Sequence, residues 1–159
     1  MPQWRAAAHI VRTRKKLARL FELVAGREEW GVRVSVDERV AARRRADGAR
    51  PGKTASGTGF LLRKKAEKDA VRLAIEEALS EGERIFSELA GSAVDARRRT
   101  PVQSNTAIRV VLDAAFLVPE QQARSFRKAV AAQARAHGDR YDVALTVPWT
   151  PYNFVSEPA

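Results

Sequence analysis

The segment Asp47-Gly48-Ala49-Arg50-Pro51-Gly52-Lys53-Thr54 is the nearest approach to enzyme chemistry in this chain, because it ends like a phosphate-binding loop. Such a loop needs a glycine five positions before Gly52, where Asp47 stands instead. It must also join a strand directly to a helix, whereas the preceding strand pattern ends at Asp37. His9 and His137 fall in separate helical regions without ligand-type partners one turn away. With no cysteine in the chain, nothing here builds a transition-metal site. The acidic pair Glu76-Glu77 sits in a long helical pattern as surface charge, and no serine is placed with a histidine as nucleophile and base. The expectation is no catalytic residue, no cofactor, no metal and no small-molecule substrate: not an enzyme.

Chemistry by surface charge remains. The chain has 159 residues, a length for one domain, and a net charge of +10. Residues 1–65 hold 17 Lys/Arg against 6 Asp/Glu, while residues 66–159 hold 12 against 13. The positive charge therefore belongs to the first part, where it can attract nucleic acid, anionic lipid or an acidic protein. No apolar run reaches the ~20 residues of a membrane span, and the amino terminus lacks the apolar segment of a secretory signal. Without cysteines to point to export, the cytoplasm is the expected location.

The elements follow from periodicity. Leu17, Leu20, Phe21 and Val24 recur at helical spacing, expected opposite Arg12, Arg14, Lys15, Lys16 and Arg19, so residues 6–25 read as a basic amphipathic helix ended by Gly26. Trp30, Val32, Val34 and Val36 alternate as in a half-buried strand. Residues 38–58, rich in arginine, glycine and proline, read as a basic flexible loop with at most a short helical start. A long helix is expected over 59–90, where Gly82 permits close packing. A weak, charged strand is expected over 93–99. Residues 108–118 read as a central strand with Ile108, Val110, Leu112, Ala114 and Phe116 on one face and Arg109, Val111, Asp113, Ala115 and Leu117 on the other. A helix opening near Pro119 and a last strand around Tyr141, Val143 and Leu145 complete the chain.

After the first helix this order is βαββαβ, the split unit of a ferredoxin-like α+β sandwich, with strand order 4-1-3-2. The chain divides as an amino-terminal helix, 1–26, and a domain, 27–159. Helices cover one face of such a sheet. The opposite face, half apolar, is expected to meet another element, either the first helix, a further domain or a partner protein, with Arg33, Arg109, Val111, Ala115 and Leu117 as candidate partner-binding residues. RNA-recognition modules of this topology stack bases on aromatics of that face, and the third strand offers none there. A nucleic-acid-binding module acting electrostatically through the basic first third is the alternative reading.

Four segments carry a family resemblance: Glu29-Trp30-Gly31-Val32-Arg33-Val34, Thr58-Gly59-Phe60-Leu61-Leu62-Arg63-Lys64-Lys65, Leu112-Asp113-Ala114-Ala115-Phe116-Leu117-Val118 and Val147-Pro148-Trp149-Thr150-Pro151-Tyr152-Asn153-Phe154. In order and spacing the chain resembles the GvpF/GvpL family of gas-vesicle proteins. Asp113 replaces the family's asparagine, and Val147 and Thr150 replace a glycine and a proline. The resemblance implies a gas-vesicle accessory protein that binds the hydrophobic shell protein, acting with other accessory proteins at the vesicle. It covers the family's carboxy-terminal part, so the usual amino-terminal domain is expected to be absent. The motif residues Trp30, Gly31, Phe116, Trp149, Tyr152, Asn153 and Phe154 are expected to build the core and fasten the tail.

Overall fold

The computed structural model describes residues 3–47, 57–104 and 106–155, with side chains in the first helix from Ile10 onward. The elements are α1 (Gln3–Val24), β1 (Arg27–Asp37), α2 (Glu38–Asp47), α3 (Gly57–Ala90), β2 (Asp95–Arg98), β3 (Ile108–Pro119), a 3₁₀ turn at Glu120–Gln122, α4 (Ala123–His137), β4 (Asp142–Leu145) and α5 (Tyr152–Val155). One antiparallel sheet runs β2-β3-β1-β4, the expected order, with the two long apolar strands in the middle and the two short ones at the edges. The architecture is α+β.

The main core lies between this sheet and α3 and α4. Val32, Val34, Ala114, Phe116 and Val118 face Ile85, Phe86 and Leu89 of α3 and Phe126 and Val130 of α4. Phe116 is the hub. Its ring lies 5.6 Å from Phe86 and 5.3 Å from Phe126, tying both helices to the central strand.

β3 departs from simple alternation. Val34 pairs with Leu112 but Ser35 pairs with Val110, leaving Val111 as the extra residue of a bulge. Val111 thereby joins the main core beside Leu112, and the strand's phase reverses below it. Arg109, expected on the open face, stands opposite Val36 on the helix side and pairs with Glu38 at 2.7 Å. Gly82 of α3 packs on this bulge, where a Cβ would lie 3.3 Å from the Val111 carbonyl oxygen.

Of the expected loop over 38–58, the helical start extends through residues 38–47 as α2, and residues 57–58 already belong to α3. Asp37 caps this helix, its Oδ1 accepting from the Arg39 and Val40 backbone N–H at 2.9 and 3.1 Å. Ala41 packs against the main core, and Arg45 pairs with Glu77 of α3 at 2.8 Å. Residues 48–56, including the phosphate-loop look-alike after Asp47, lie outside the described residues.

Candidate partner-binding surfaces

The sheet face away from α3 and α4 is occupied at one end. Ala115 and Leu117, both fully buried, form a second small core with Phe154 of α5 and with Leu23 and Val24 of α1. The carboxy-terminal segment reaches this place through a set of polar anchors. Trp149 exchanges two backbone hydrogen bonds with Glu29, of 2.8 and 3.1 Å. The buried Glu29 carboxylate accepts from the Asn153 backbone N–H at 3.0 Å and from the Asn153 side-chain amide. Arg97 donates to the Asn153 carbonyl at 2.6 Å, and its guanidinium lies over the Phe154 ring. Glu29, Arg97 and Asn153 thus act as one clasp holding α5 on the sheet.

Next to the clasp the face is polar. Asp113, buried, accepts from Arg33 at 3.0 Å and from Arg99 at 2.8 Å, a three-residue ladder across β1, β3 and the chain after β2. Gly31 lies under it. A Cβ there would come 2.6 Å from Thr146 Oγ1 and 3.0 Å from an Arg99 guanidinium nitrogen. The Gly31 N–H donates to Thr146 Oγ1 at 3.0 Å, so the hydroxyl is held in the space a side chain would need.

The proposed partner-binding residues are therefore dispersed. Arg33 is exposed on this face; Arg109 is on the other side; Val111 is in the main core; Ala115 and Leu117 are under the tail. The apolar end of this face meets the first helix, one of the expected elements, and also the chain's own tail, so Ala115 and Leu117 are not open to a partner. Among the family-motif residues, Trp30, Phe116 and Phe154 are buried, Gly31 is required by close approach, and Asn153 works in the clasp. The side chains of Trp149 and Tyr152, expected in the core, are 61% and 68% exposed; the Trp149 backbone, not its ring, makes the attachment.

Sequence reasoning missed Glu29, Arg97 and Arg99. Glu29 entered only as the first residue of a family-like segment, without a role, and Arg97 and Arg99 carry no local mark, since each is a charged residue whose partner lies on another element. His137 is buried between α4 and α3, with Nε2 3.1 Å from Glu81 and 2.8 Å from Arg84. The Arg84 hydrogen bond holds the Glu81 carboxyl below its usual range. This cluster joins two helices.

What remains exposed and apolar is on helices. Residues 10–19 of α1 are all exposed, among them Ile10, Val11 and Leu17; Phe21 is exposed as well. The start of α3 exposes Phe60, Leu61 and Leu62. No helix among the described residues is long and apolar enough to cross a membrane.

The sequence profile described as gas vesicle synthesis protein GvpL/GvpF matches residues 3–156. The chain belongs to the GvpL/GvpF family. Two solved structures have a similar fold. The gas vesicle protein GvpF from Anabaena sp. PCC7120 has a TM-score of 0.62 at 21% identity, over 91% of this chain and 57% of that one. GvpF from Microcystis aeruginosa has a TM-score of 0.64 at 17% identity, over 97% of this chain and 65% of that one. This GvpL/GvpF chain thus spans less than two thirds of the length of either. No curated protein matches it.

Proposed function

We propose that the chain is a noncatalytic assembly factor that engages the hydrophobic shell protein while gas vesicles form. The observation that carries this reading is the family match over nearly the whole chain. Its fold is, on this reading, a ferredoxin-like βαββαβ sandwich, 27–159, with 1–26 as an added arm. Its place is the cytoplasm and the gas vesicle growing there, among the other accessory proteins.

Support for a binding role comes from the distribution of apolar surface. The apolar end of the sheet face is closed by the tail, whereas Ile10, Leu17 and Phe21 on α1 and Phe60, Leu61 and Leu62 on α3 stay in solvent. Apolar residues gathered on exposed helices, each with arginines and lysines beside them, are suited to an apolar partner with an acidic rim. The test is co-expression with the shell protein, followed by pull-down and a sedimentation assay of shell-protein aggregation. Association, together with more shell protein left in solution, is the expected result. If neither occurs, while a full-length GvpF run in parallel does both, this chain is not sufficient for the function.

A further inference from the structure

The apolar residues of α1 are spaced for another helix. Ile10, Leu17 and Val24 recur every seven residues, and Thr13 and Leu20 fall between them at the alternate positions of the same heptad. Over these two heptads, with Thr13 at one position, the spacing matches a short helix–helix seam, and in this structure it is used only at one end. Val24 packs on Leu117, Ala115 and Phe154, while Leu17 and Ile10 are 50% and 65% exposed. A partner seated on the free part would continue a contact the domain has already begun.

The flanks of the seam specify the partner's charge. Arg14 and Lys16 occupy the positions that border a heptad seam, and Arg12, Lys15 and Arg19 lie further round. There is no acidic residue from Gln3 to Phe21. Two copies of α1 would therefore place like charges against each other, which disfavours self-pairing. A lipid surface fits less well. Arg14, expected opposite the apolar stripe, is not there: at 3.6 residues per turn it lies only about 20–40° from Phe21 and Ile10, inside the apolar half of the helix. Against a bilayer that charge interrupts the apolar side, whereas beside a helix it meets a carboxylate at the rim. Nucleic acid would use the cations but not the apolar seam.

We infer that α1 is a docking helix for an acidic-flanked amphipathic helix of a partner protein, paired along Ile10, Leu17 and Leu20 with Arg14 against a partner carboxylate. This gives the exposed α1 residues of the shell-protein reading a partner of stated chemistry, and because its test contains no gas-vesicle protein, either reading can fail without the other.

The probe is a labelled peptide of three heptads with leucine on the seam and glutamate on both flanks, whose own charges keep it from self-pairing. A second peptide carries lysine on the flanks. The full chain should bind the glutamate peptide, more weakly as salt is added, and ignore the lysine one. Ile10→Ser with Leu17→Ser should weaken binding about tenfold or more, and both sites are exposed, so the circular dichroism spectrum should not change. Arg14→Glu should shift preference toward the lysine peptide. Equal binding of both peptides, no binding, or an unaffected seam variant would overturn the proposal. So would any of three other results that depend on the seam: binding to phosphatidylglycerol vesicles or to duplex DNA in place of the peptide, or a dimer in sedimentation that the serine variant dissolves.

Discussion

The two faces of the sheet are buried by different means. On one, α3 and α4 lay an apolar surface over Val32, Val34, Ala114 and Phe116, with charged groups only around its margins. On the other, Ala115 and Leu117 are covered by a single phenylalanine and the last turn of α1, held by a clasp of charged and amide groups. The first face gains its stability from apolar area. The second depends on hydrogen bonds whose partners must all be present, because a buried carboxylate left without donors is costly. The helix face should therefore set global stability, and the tail face should open locally.

The largest effect is expected from Phe116→Ala. Phe116 is fully buried and touches both Phe86 and Phe126, so its truncation removes the contact shared by three elements. A loss of about 3–5 kcal/mol in denaturant unfolding is expected, with the whole chain melting earlier. An effect confined to the tail would reverse the assignment of the two faces.

The helix face is also the one the sequence announces. Periodicity marks α3, α4 and the central strands, because each buries a regular stripe. Its single surprise, the bulge at Val111, is invisible in the sequence, since Val110, Val111 and Leu112 are all apolar and a one-residue slip leaves no trace in the pattern. The tail face is legible only in part, since Asn153 and Phe154 were expected to fasten the tail but the groups that receive them were not. Glu29 precedes Trp30 as any surface glutamate would, and only the fold brings Asn153 to it. The full length of α2, of which only a short helical start was expected, was illegible for a related reason: it carries no apolar stripe, and its cap, one alanine and its ion pairs hold it.

Glu29→Gln tests the clasp next. The glutamine offers one acceptor where Asn153 presents two donors, so one amide faces another without a partner. We expect a loss of about 1.5–3 kcal/mol from hydrogen bonds to a charged group, appearing as faster amide exchange in residues 149–155 and in the last turn of α1. Uniformly faster exchange across α3 and α4 would show that the tail is no separate unit.

Gly31→Ala is smaller. The new methyl displaces the Thr146 hydroxyl, a short side chain that can rotate, and presses on Arg99, which can swing. A loss of about 1 kcal/mol is expected, the size of the hydrogen bond from the Gly31 N–H. Thr146→Ala in the same chain should make the two changes less than additive, because the first has already spoiled what the second removes. Full additivity would mean that Gly31 matters for another reason.

The smallest effect concerns the rim of the helix face. Glu83 of α3 is bonded by Arg98 of β2, whose guanidinium also lies 3.7 Å from the centre of the Phe86 ring. That hydrogen bond, with the Arg98 charge, holds the Glu83 carboxyl below its usual value of 4.5. A carboxyl whose pKa is lower in the folded chain than in the unfolded one stabilises the fold above the unfolded value. That stabilisation disappears as pH falls through the folded value. Glu83→Gln should therefore cost stability at neutral pH and cost progressively less as pH falls below about 4.5, where wild type and variant converge. Both side chains are half exposed, so the neutral-pH difference should stay within about 1 kcal/mol and shrink with added salt. Thermal unfolding of the pair across this pH range, at low and high salt, measures it. A gap that persisted at low pH and high salt would move the contribution from the ion pair to the packing of Arg98 on Phe86.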